Sequence, residues 1–369
     1  MLQITRPTLL LDEKKVRQNI REMAVKASKT NVVFRPHFKT HQSIEIGRWF
    51  REFGVDRITV SSLEMARYFA QDGWQDILVA VPVNILQHQL INQLAAQINL
   101  HLVFDSIEAI EALESKLEKP VKAWIKVNTG YNRAGIDQFD LDLIIRSIEK
   151  INASQLITFE GLLSHSGHSY DLRNYDDIEN VRKKEADYFA LLKNSLRQRN
   201  FLAKISIGDT PTCSYMDEFD EVDEIRPGNF VFYDMVQEQI GSCKENQIAV
   251  AVACPVIGKY ENRNQLLLYA GAVHLSKDSL IDSDGKRVFA YVAFENGTGW
   301  GDVIKSSPIT SISQEVCKWY VDTELMKKVS IGDVVYLLPA HSCLTADLYP
   351  NYLTLDGTRI SKFVTNGNC

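Results

Sequence analysis

The sequence has no long apolar segment, no block of basic residues and no paired cysteine motif. No apolar stretch approaches the about 20 residues that a membrane-spanning helix needs, and the first residues lack the charged and apolar regions of a signal peptide. The 41 lysine and arginine residues are outnumbered by 47 aspartate and glutamate residues and are spread along the chain, which disfavours nucleic-acid binding. We therefore expect a cytoplasmic protein that binds neither membranes nor nucleic acids.

The cysteine spacing fits a reducing compartment better than a disulfide framework. The chain contains Cys213, Cys243, Cys254, Cys317, Cys343 and Cys369. Their spacings form no CxxC pair, which is typical of a protein from a reducing compartment. With 369 residues, 45% of them hydrophobic and 24% charged, the composition is that of an ordinary globular protein with one large domain and a smaller one.

Short apolar runs alternate with amphipathic segments over the first two thirds of the chain. The runs that predict strands are 31–34, 57–60, 76–81, 100–104, 121–127, 156–163, 203–207 and 221–226. Helical periodicity between them is typical of βαβ units, and eight such units predict a (β/α)8 barrel of the TIM type. A short strand at 8–11 and a helix precede the first unit.

The pattern changes after about residue 235. Strand-like runs at 248–256, 265–273, 288–294, 334–338 and 352–355 are separated by glycine, asparagine and aspartate, which predicts a mostly β region. The sequence thus indicates an α/β protein with a barrel domain over 8–235 and a mostly β C-terminal domain over 236–369, which residues 1–7 can join.

The heptad RPHFKTH, which contains Lys39, follows the first barrel strand. Reacting groups of such barrels lie at the carboxyl ends of the strands, and a lysine there is suited to forming a Schiff base with an aldehyde. The alternative is a solvated lysine after a strand, and the heptad alone does not distinguish the two.

Further polar, glycine-bearing segments follow the fifth to eighth strands: NTGYNR, HSGHSY, GDTPT and RPGN. All of them are predicted to meet at one end of the barrel. Glycine and hydroxyl residues after strands seven and eight expose N–H and O–H donors, and barrels commonly bind a phosphate there. A lysine that traps aldehydes beside a phosphate site indicates pyridoxal phosphate.

These segments, in this order, resemble the fold-type III pyridoxal-phosphate enzymes, the group of alanine racemase, and within it the D-serine dehydratase and D-threonine aldolase branch. The resemblance covers nearly the whole chain and includes EIRPGNFVFYD and the C-terminal PAHSCLTADLYP. It implies that Lys39 is the Schiff-base lysine. It also implies cofactor contacts for six further residues: Arg133 near the phenolic oxygen, Tyr170 beside the cofactor, Thr210, Gly228 and Asn229 on the phosphate, and Arg226 on the pyridine nitrogen.

Ordinary structural roles are the alternative for several of these residues. The Thr210 segment could be a plain turn, and Arg133 an ordinary surface ion-pair partner. His165 and His168 are further candidates for a direct role, although a histidine after a strand is more often hydrogen-bonded locally.

His341 and Cys343 are the candidate metal ligands. If the chain is extended there, residues at i and i+2 point to the same side, so an imidazole and a thiolate could face one ion. Taken alone, an HxC pair is more often a buried thiol beside a histidine. The resemblance implies a zinc ion, because the dehydratases of this branch have His and Cys at this spacing whereas the aldolases generally have His and Asp.

The resemblance therefore implies a dehydratase that eliminates water from a D-3-hydroxy amino acid, D-serine first, with pyridoxal phosphate and zinc. A D-threonine aldolase and a D-3-hydroxyaspartate dehydratase are the alternatives within the branch. A non-catalytic pyridoxal-phosphate-binding protein is the alternative from another class. The resemblance also implies a homodimer.

Overall fold

The computed structural model describes residues 2–364 and divides them into two compact units, a barrel unit of residues 21–228 and a strand-rich unit of residues 2–20 with 229–364. Cys369 lies outside the described residues. The strands are β1 (Thr8–Leu11), β2 (Val33–Phe34), β3 (Arg57–Val60), β4 (Asp76–Pro82), β5 (Asn99–Phe104), β6 (Val121–Asn128), β7 (Ile136–Asp137), β8 (Ile157–Leu163), β9 (Lys204–Ile207), β10 (Glu224–Ile225), β11 (Val250–Tyr260), β12 (Gln265–Leu268), β13 (Leu280–Ile281), β14 (Arg287–Val288), β15 (Ala290–Ala293), β16 (Ser311–Ile312), β17 (Cys317–Tyr320), β18 (Val334–Pro339), β19 (Asn351–Thr354) and β20 (Arg359–Ser361).

The helices are α1 (Glu13–Lys29), α2 (Ile44–Arg51), α3 (Leu63–Gln71), α4 (His88–Ala95), α5 (Ile107–Glu114), α6 (Leu141–Asn152), α7 (Tyr175–Arg197), α8 (Thr210–Tyr215), α9 (Met235–Ile240), α10 (Ala272–Leu275), α11 (Thr323–Lys328) and α12 (Ser342–Asp347). No helix among residues 2–364 combines the length and the apolar character needed to cross a bilayer.

The barrel unit is a nearly closed parallel barrel of eight strands, which confirms the predicted fold. The strand order is β2, β10, β9, β8, β6, β5, β4, β3. A parallel bridge between His37 and Thr59 links the two ends of this order. Most apolar residues of the predicted strands are buried, although Val33 and Val81 are exposed. Trp124 packs with Leu78, Val103 and Leu163 in the barrel core.

Local sequence determines where the barrel helices begin. Six of them start after a serine, aspartate or asparagine whose side chain accepts a hydrogen bond from a backbone N–H of the first turn, which satisfies a donor that the helix leaves unpaired. These N-cap residues are Ser43, Ser62, Ser106, Asp140, Asn174 and Asp209.

The eighth barrel strand is shorter than the run 221–226 predicts. Only Glu224 and Ile225 form β10, because Glu221 has a left-handed backbone conformation with φ of 62° that a strand does not accommodate.

The strand-rich unit contains a nine-stranded sheet, in which β11 pairs with β1, β12 and β18. The strand β1 belongs to this sheet, antiparallel to β11 and parallel to β19. The barrel domain predicted from the sequence includes β1. Order along the chain does not indicate which sheet a strand joins. The barrel unit instead begins inside α1, at Arg21.

Candidate active site

In the barrel unit, the sequence-predicted residues lie in the segments that follow the strands. Lys39 follows β2 and is exposed, Arg133 follows β6, Tyr170 follows β8, and Thr210 begins α8 directly after β9. The loops approach one another closely: a Cβ atom at Gly228 would lie 3.0 Å from the Cβ atom of His37. A side chain at position 228 would crowd His37, so the loop after β2 would have to shift slightly to accept it.

Positive charges concentrate at this end of the barrel. The pKa of His37 is well below its usual value, first because the ring is buried and then because of the charges of Lys39, Arg226, His165 and Arg133. Since each of these groups acts on His37, the loops after four different strands bring them into one neighbourhood. A concentration of cations at a loop cluster of this kind favours an anionic ligand.

The imidazole of His165 is neutral. Burial is the main cause that lowers its pKa to about 3, and Arg133 and Lys39 act in the same direction. Its Nδ1 lies within hydrogen-bonding distance of the carbonyl oxygen of Gly208. Because a carbonyl oxygen only accepts, Nδ1 carries the proton and Nε2 presents a lone pair.

The neutral state of His165 predicts a loss of stability in acid. The unfolded chain takes up a proton below pH 6.5 whereas the folded chain does not until about pH 3, so the unfolding free energy falls as the pH drops through that window. Between pH 7 and 5 we expect His165 to account for a loss of about 1–2 kcal/mol. Denaturant unfolding of wild type and His165→Gln at pH 7, 6 and 5 tests this, and parallel stability profiles for the two proteins would contradict it.

Thr210 and Tyr170 meet in the loop cluster. The backbone N–H of Thr210 donates to the phenolic oxygen of Tyr170 at 3.1 Å. The Thr210 hydroxyl is fully buried, and its Oγ1 has no hydrogen-bond partner among the described residues. A buried hydroxyl without a partner costs free energy, so this position fits an acceptor supplied by a ligand, such as a phosphate oxygen.

Arg226 is buried, with 5% of its surface exposed, and its guanidinium is held by three acceptors. Nε donates to the hydroxyl of Ser206 at 2.7 Å, and Nη2 donates to the carbonyl oxygens of Ser164 at 2.6 Å and Ser206 at 3.3 Å. Burial lowers the pKa of Arg226 to about 10, so the group remains a cation at neutral pH.

In the strand-rich unit, His341 and Cys343 lie where β18 ends and α12 begins. The extended segment assumed for this pair is wrong, because only His341 is extended and Cys343 is in the first turn of α12. The two side chains are nevertheless hydrogen-bonded. Burial lowers the pKa of His341, but Cys343, Asp234 and Asp278 together raise it to about 9.

Asn229 belongs to the same unit, and its side chain lies next to Cys343. Its Nδ2 donates to Asp234 at 2.6 Å and lies 3.4 Å from Sγ of Cys343. The carboxylate of Asp234 only accepts, which fixes the orientation of the amide. The side-chain amide of Asn229 is therefore committed to Asp234 and Cys343.

The barrel residues fit pyridoxal phosphate: the exposed amine of Lys39 suits the aldehyde, and the cations and the unpartnered Thr210 hydroxyl suit an anionic group. The imidazole of His341 and the thiol of Cys343 are a donor set that zinc prefers. Residues 2–364 contain no group of three His, Cys, Asp or Glu side chains arranged around a possible ion.

Sequence reasoning missed several residues of these clusters. Lys126 is buried on β6, where burial first and then Arg226 and Arg133 lower its pKa to about 8; a lysine inside the apolar run 121–127 was the available signal. Asp278 lies 3.5 Å from Nδ1 of His341, and no sequence signal connects two residues so far apart along the chain.

Comparisons with known proteins agree along the whole chain. A model for the N-terminal domain of alanine racemase matches residues 11–235, and a model for a serine dehydratase domain matches residues 249–355. A D-serine dehydratase from Dictyostelium discoideum is 33% identical over 98% of this chain and 96% of its own. A D-threo-3-hydroxyaspartate dehydratase from Delftia sp. is 27% identical over 97% of this chain and 96% of its own. The solved structure of a D-threo-3-hydroxyaspartate dehydratase, a cysteine-to-alanine mutant in the metal-free form, has a TM-score of 0.91 and 25% identity and covers 98% of both chains.

Proposed function

Because the chain belongs to the family of enzymes that join an alanine racemase N-terminal domain to a serine dehydratase domain, we propose that it is a D-serine dehydratase that depends on pyridoxal phosphate and zinc. The reaction converts D-serine to pyruvate and ammonia. The observation that carries the proposal is the convergence of Lys39, Arg133 and Arg226 on one loop cluster of the barrel, with each charge acting on His37.

Pyridoxal phosphate supplies an aldehyde that bonds to amines and a ring that withdraws electrons from Cα of a bound amino acid. Lys39 is the amine that holds it. Thr210, with its buried and unpartnered hydroxyl, is the phosphate donor that the structure supports best, together with the backbone at Gly228 and Asn229. Tyr170 positions Thr210 by accepting its N–H. Arg133 would lie near the phenolic oxygen of the cofactor, and Arg226 would meet its ring nitrogen.

Lys39 also moves the proton. With the cofactor bound, the amine of Lys39 would act as the general base that takes the proton from Cα of D-serine. His165 stays neutral in this cationic neighbourhood, so it adds no further positive charge and offers Nε2 as an acceptor.

A zinc ion supplies a Lewis acid that turns a hydroxyl into a better leaving group. We assign its binding to His341 and Cys343, whose side chains are already in contact. A metal held there would favour loss of the β-hydroxyl as water over cleavage of the Cα–Cβ bond. The intermediate released from this elimination hydrolyses to pyruvate and ammonia, which balances the reaction.

The test is an incubation of the purified protein with D-serine and an assay of pyruvate, with and without a strong chelator. Stoichiometric pyruvate and ammonia, lost with the chelator and restored by added zinc, are the expected result. Activity that survives complete metal removal would exclude zinc from the mechanism. Absence of turnover, together with a bound cofactor, would point to the non-catalytic alternative.

A D-3-hydroxyaspartate dehydratase is the second candidate, because a relative with that activity in its name matches the chain over its full length. It would form oxaloacetate and ammonia from D-threo-3-hydroxyaspartate. A D-threonine aldolase would instead form glycine and acetaldehyde. Comparing kcat/KM for the three substrates decides among them. The homodimer and the cytoplasmic location stay predictions from the resemblance and the composition, and sedimentation equilibrium measures the former.

A further inference from the structure

A chain of buried hydrogen bonds continues from Arg226 into the barrel. Nε of Arg226 donates to Oγ of Ser206 at 2.7 Å, and that hydroxyl donates to Oε1 of Glu224 at 2.7 Å. The other carboxylate oxygen of Glu224 accepts from Nε of Arg35 at 2.6 Å. Ser206 is fully buried, and Glu224 and Arg226 are at most 5% exposed, so water does not compete for these bonds.

The chemistry of the groups fixes the direction of every bond. A guanidinium only donates, so Ser206 must present a lone pair to Arg226. The hydroxyl proton of Ser206 is then directed to Glu224, which as a carboxylate only accepts. Ser206 is therefore held as an acceptor toward Arg226 by the charge of Glu224.

The hydrogen bonds through Ser206 also offset the free-energy cost of burying the Arg226 cation. A buried cation is costly unless it is paired, and within residues 2–364 Arg226 has no direct ion pair with a carboxylate. Glu224 is the carboxylate whose effect on Arg226 is the largest of the surrounding charges, and Ser206 is hydrogen-bonded to both side chains. The link through Ser206 leaves Glu224 able to bind Arg35 at the same time.

We propose that Ser206 and Glu224 are positioning residues that fix the guanidinium of Arg226 in the orientation in which it meets the ring nitrogen of the cofactor. The proposal rests on the proposed function, which places pyridoxal phosphate beside Arg226. Neither residue touches the cofactor or the substrate; both act through Arg226. A small displacement of the Arg226 guanidinium would change its interaction with the ring nitrogen and therefore the electronic state of the ring. Misplacement of a group by about 1 Å can lower the rate of a catalysed reaction by up to about 100-fold.

Two variants, Ser206→Ala and Glu224→Gln, test different hydrogen bonds between Arg226, Ser206 and Glu224. Ser206→Ala removes the side-chain hydroxyl that accepts from Nε of Arg226. Glu224→Gln keeps the size and shape of the side chain. Arg35 can only donate, so it would bond to the amide oxygen, and the NH2 group would then face Ser206. The serine hydroxyl would then accept from the amide and bind Arg226 less well.

Asp76 supplies the matched control. It also pairs with Arg35, so Asp76→Asn removes one carboxylate from the same arginine, as Glu224→Gln does. Asp76 has no contact with Ser206 or Arg226 among the described bonds. Asp76→Asn therefore reports the effect of weakening the core alone.

The experiment measures kcat and KM for D-serine, the visible absorbance of bound cofactor from pH 6 to 9, and the unfolding midpoint, all on holoenzyme. For Ser206→Ala and Glu224→Gln we expect kcat to fall about 10–100-fold with KM changed less than about threefold. The cofactor band should shift in position or in pH dependence. Ser206→Thr, which keeps the hydroxyl, should restore most of kcat and the wild-type band.

Asp76→Asn should keep the wild-type band and a kcat within about threefold of wild type, even if its unfolding midpoint falls as far as that of Glu224→Gln. If the change in the cofactor band and the fall in kcat are proportional to the fall in the unfolding midpoint across all four variants, the positioning role is overturned. A wild-type protein without any cofactor band would overturn the proposed function as well, whereas a normal wild-type band with unchanged Ser206→Ala and Glu224→Gln variants would overturn the inference alone.

Discussion

In the Lys39→Ala variant, the visible absorbance of bound pyridoxal phosphate is expected to disappear and turnover of D-serine to fall by at least about 10³-fold. A methyl group can neither bond to the cofactor aldehyde nor take the proton from Cα. Lys39 is exposed, and exposed side chains contribute little to stability, within about 0.5 kcal/mol. The unfolding midpoint should therefore stay close to that of wild type, which separates loss of chemistry from loss of fold.

Lys39→Arg is the matched control for charge. It keeps a cation beside His37 and His165, whose pKa values respond to the charge of Lys39, but an arginine does not give up its proton at neutral pH. We expect Lys39→Arg to be as inactive as Lys39→Ala. Substantial pyruvate formation by either variant would show that another amine carries the reaction.

The second large effect is expected for Cys343→Ala, which removes the thiolate from the His341–Cys343 pair. A lone imidazole binds zinc weakly, so the metal content should fall from about one zinc per chain to near zero. Losing the Lewis acid costs about 3 kcal/mol or more of charge stabilisation, which corresponds to a fall in kcat of at least about 100-fold. Metal analysis of the purified variant and the pyruvate assay measure the two effects separately.

Cys243→Ala is the control for Cys343→Ala. Cys243 is a buried cysteine of the same unit, and burial raises the pKa of its thiol, so it remains a protonated thiol that does not bind metal. The control variant should keep both its zinc and its activity. Full zinc occupancy in Cys343→Ala would exclude Cys343 as a ligand and leave its contact with His341 as a structural feature.

The barrel was predictable because its signals are local. Apolar runs of four to eight residues followed by N-cap residues such as Ser62 and Asp209 mark strand and helix starts without any knowledge of distant contacts. The placement of Lys39, Thr210 and Arg226 after barrel strands was predictable for a related reason: parallel strands of a barrel all end at one rim, so order along the chain becomes proximity in space.

The HxC pair shows where local reasoning fails. The contact between His341 and Cys343 was predicted from an extended chain, but the helix α12 starts at Ser342. Ser342 donates its backbone N–H to Asp234 at 2.9 Å, a bond between residues more than one hundred positions apart. Tertiary contacts of this kind override local preference, and neither spacing nor composition reveals them.

The sequence by itself determined the alternation of strands and helices, the loops that carry Lys39, Arg133, Tyr170, Thr210 and Arg226, and the presence of an imidazole and a thiol two positions apart. Only the tertiary structure decided that β1 joins the strand-rich sheet, that Asn229 turns its amide toward Cys343, and that Glu224 reaches Arg226 through Ser206. The physical reason is that periodicity and capping act within a few residues, whereas the orientation of a buried polar group depends on partners that the fold brings from distant parts of the chain.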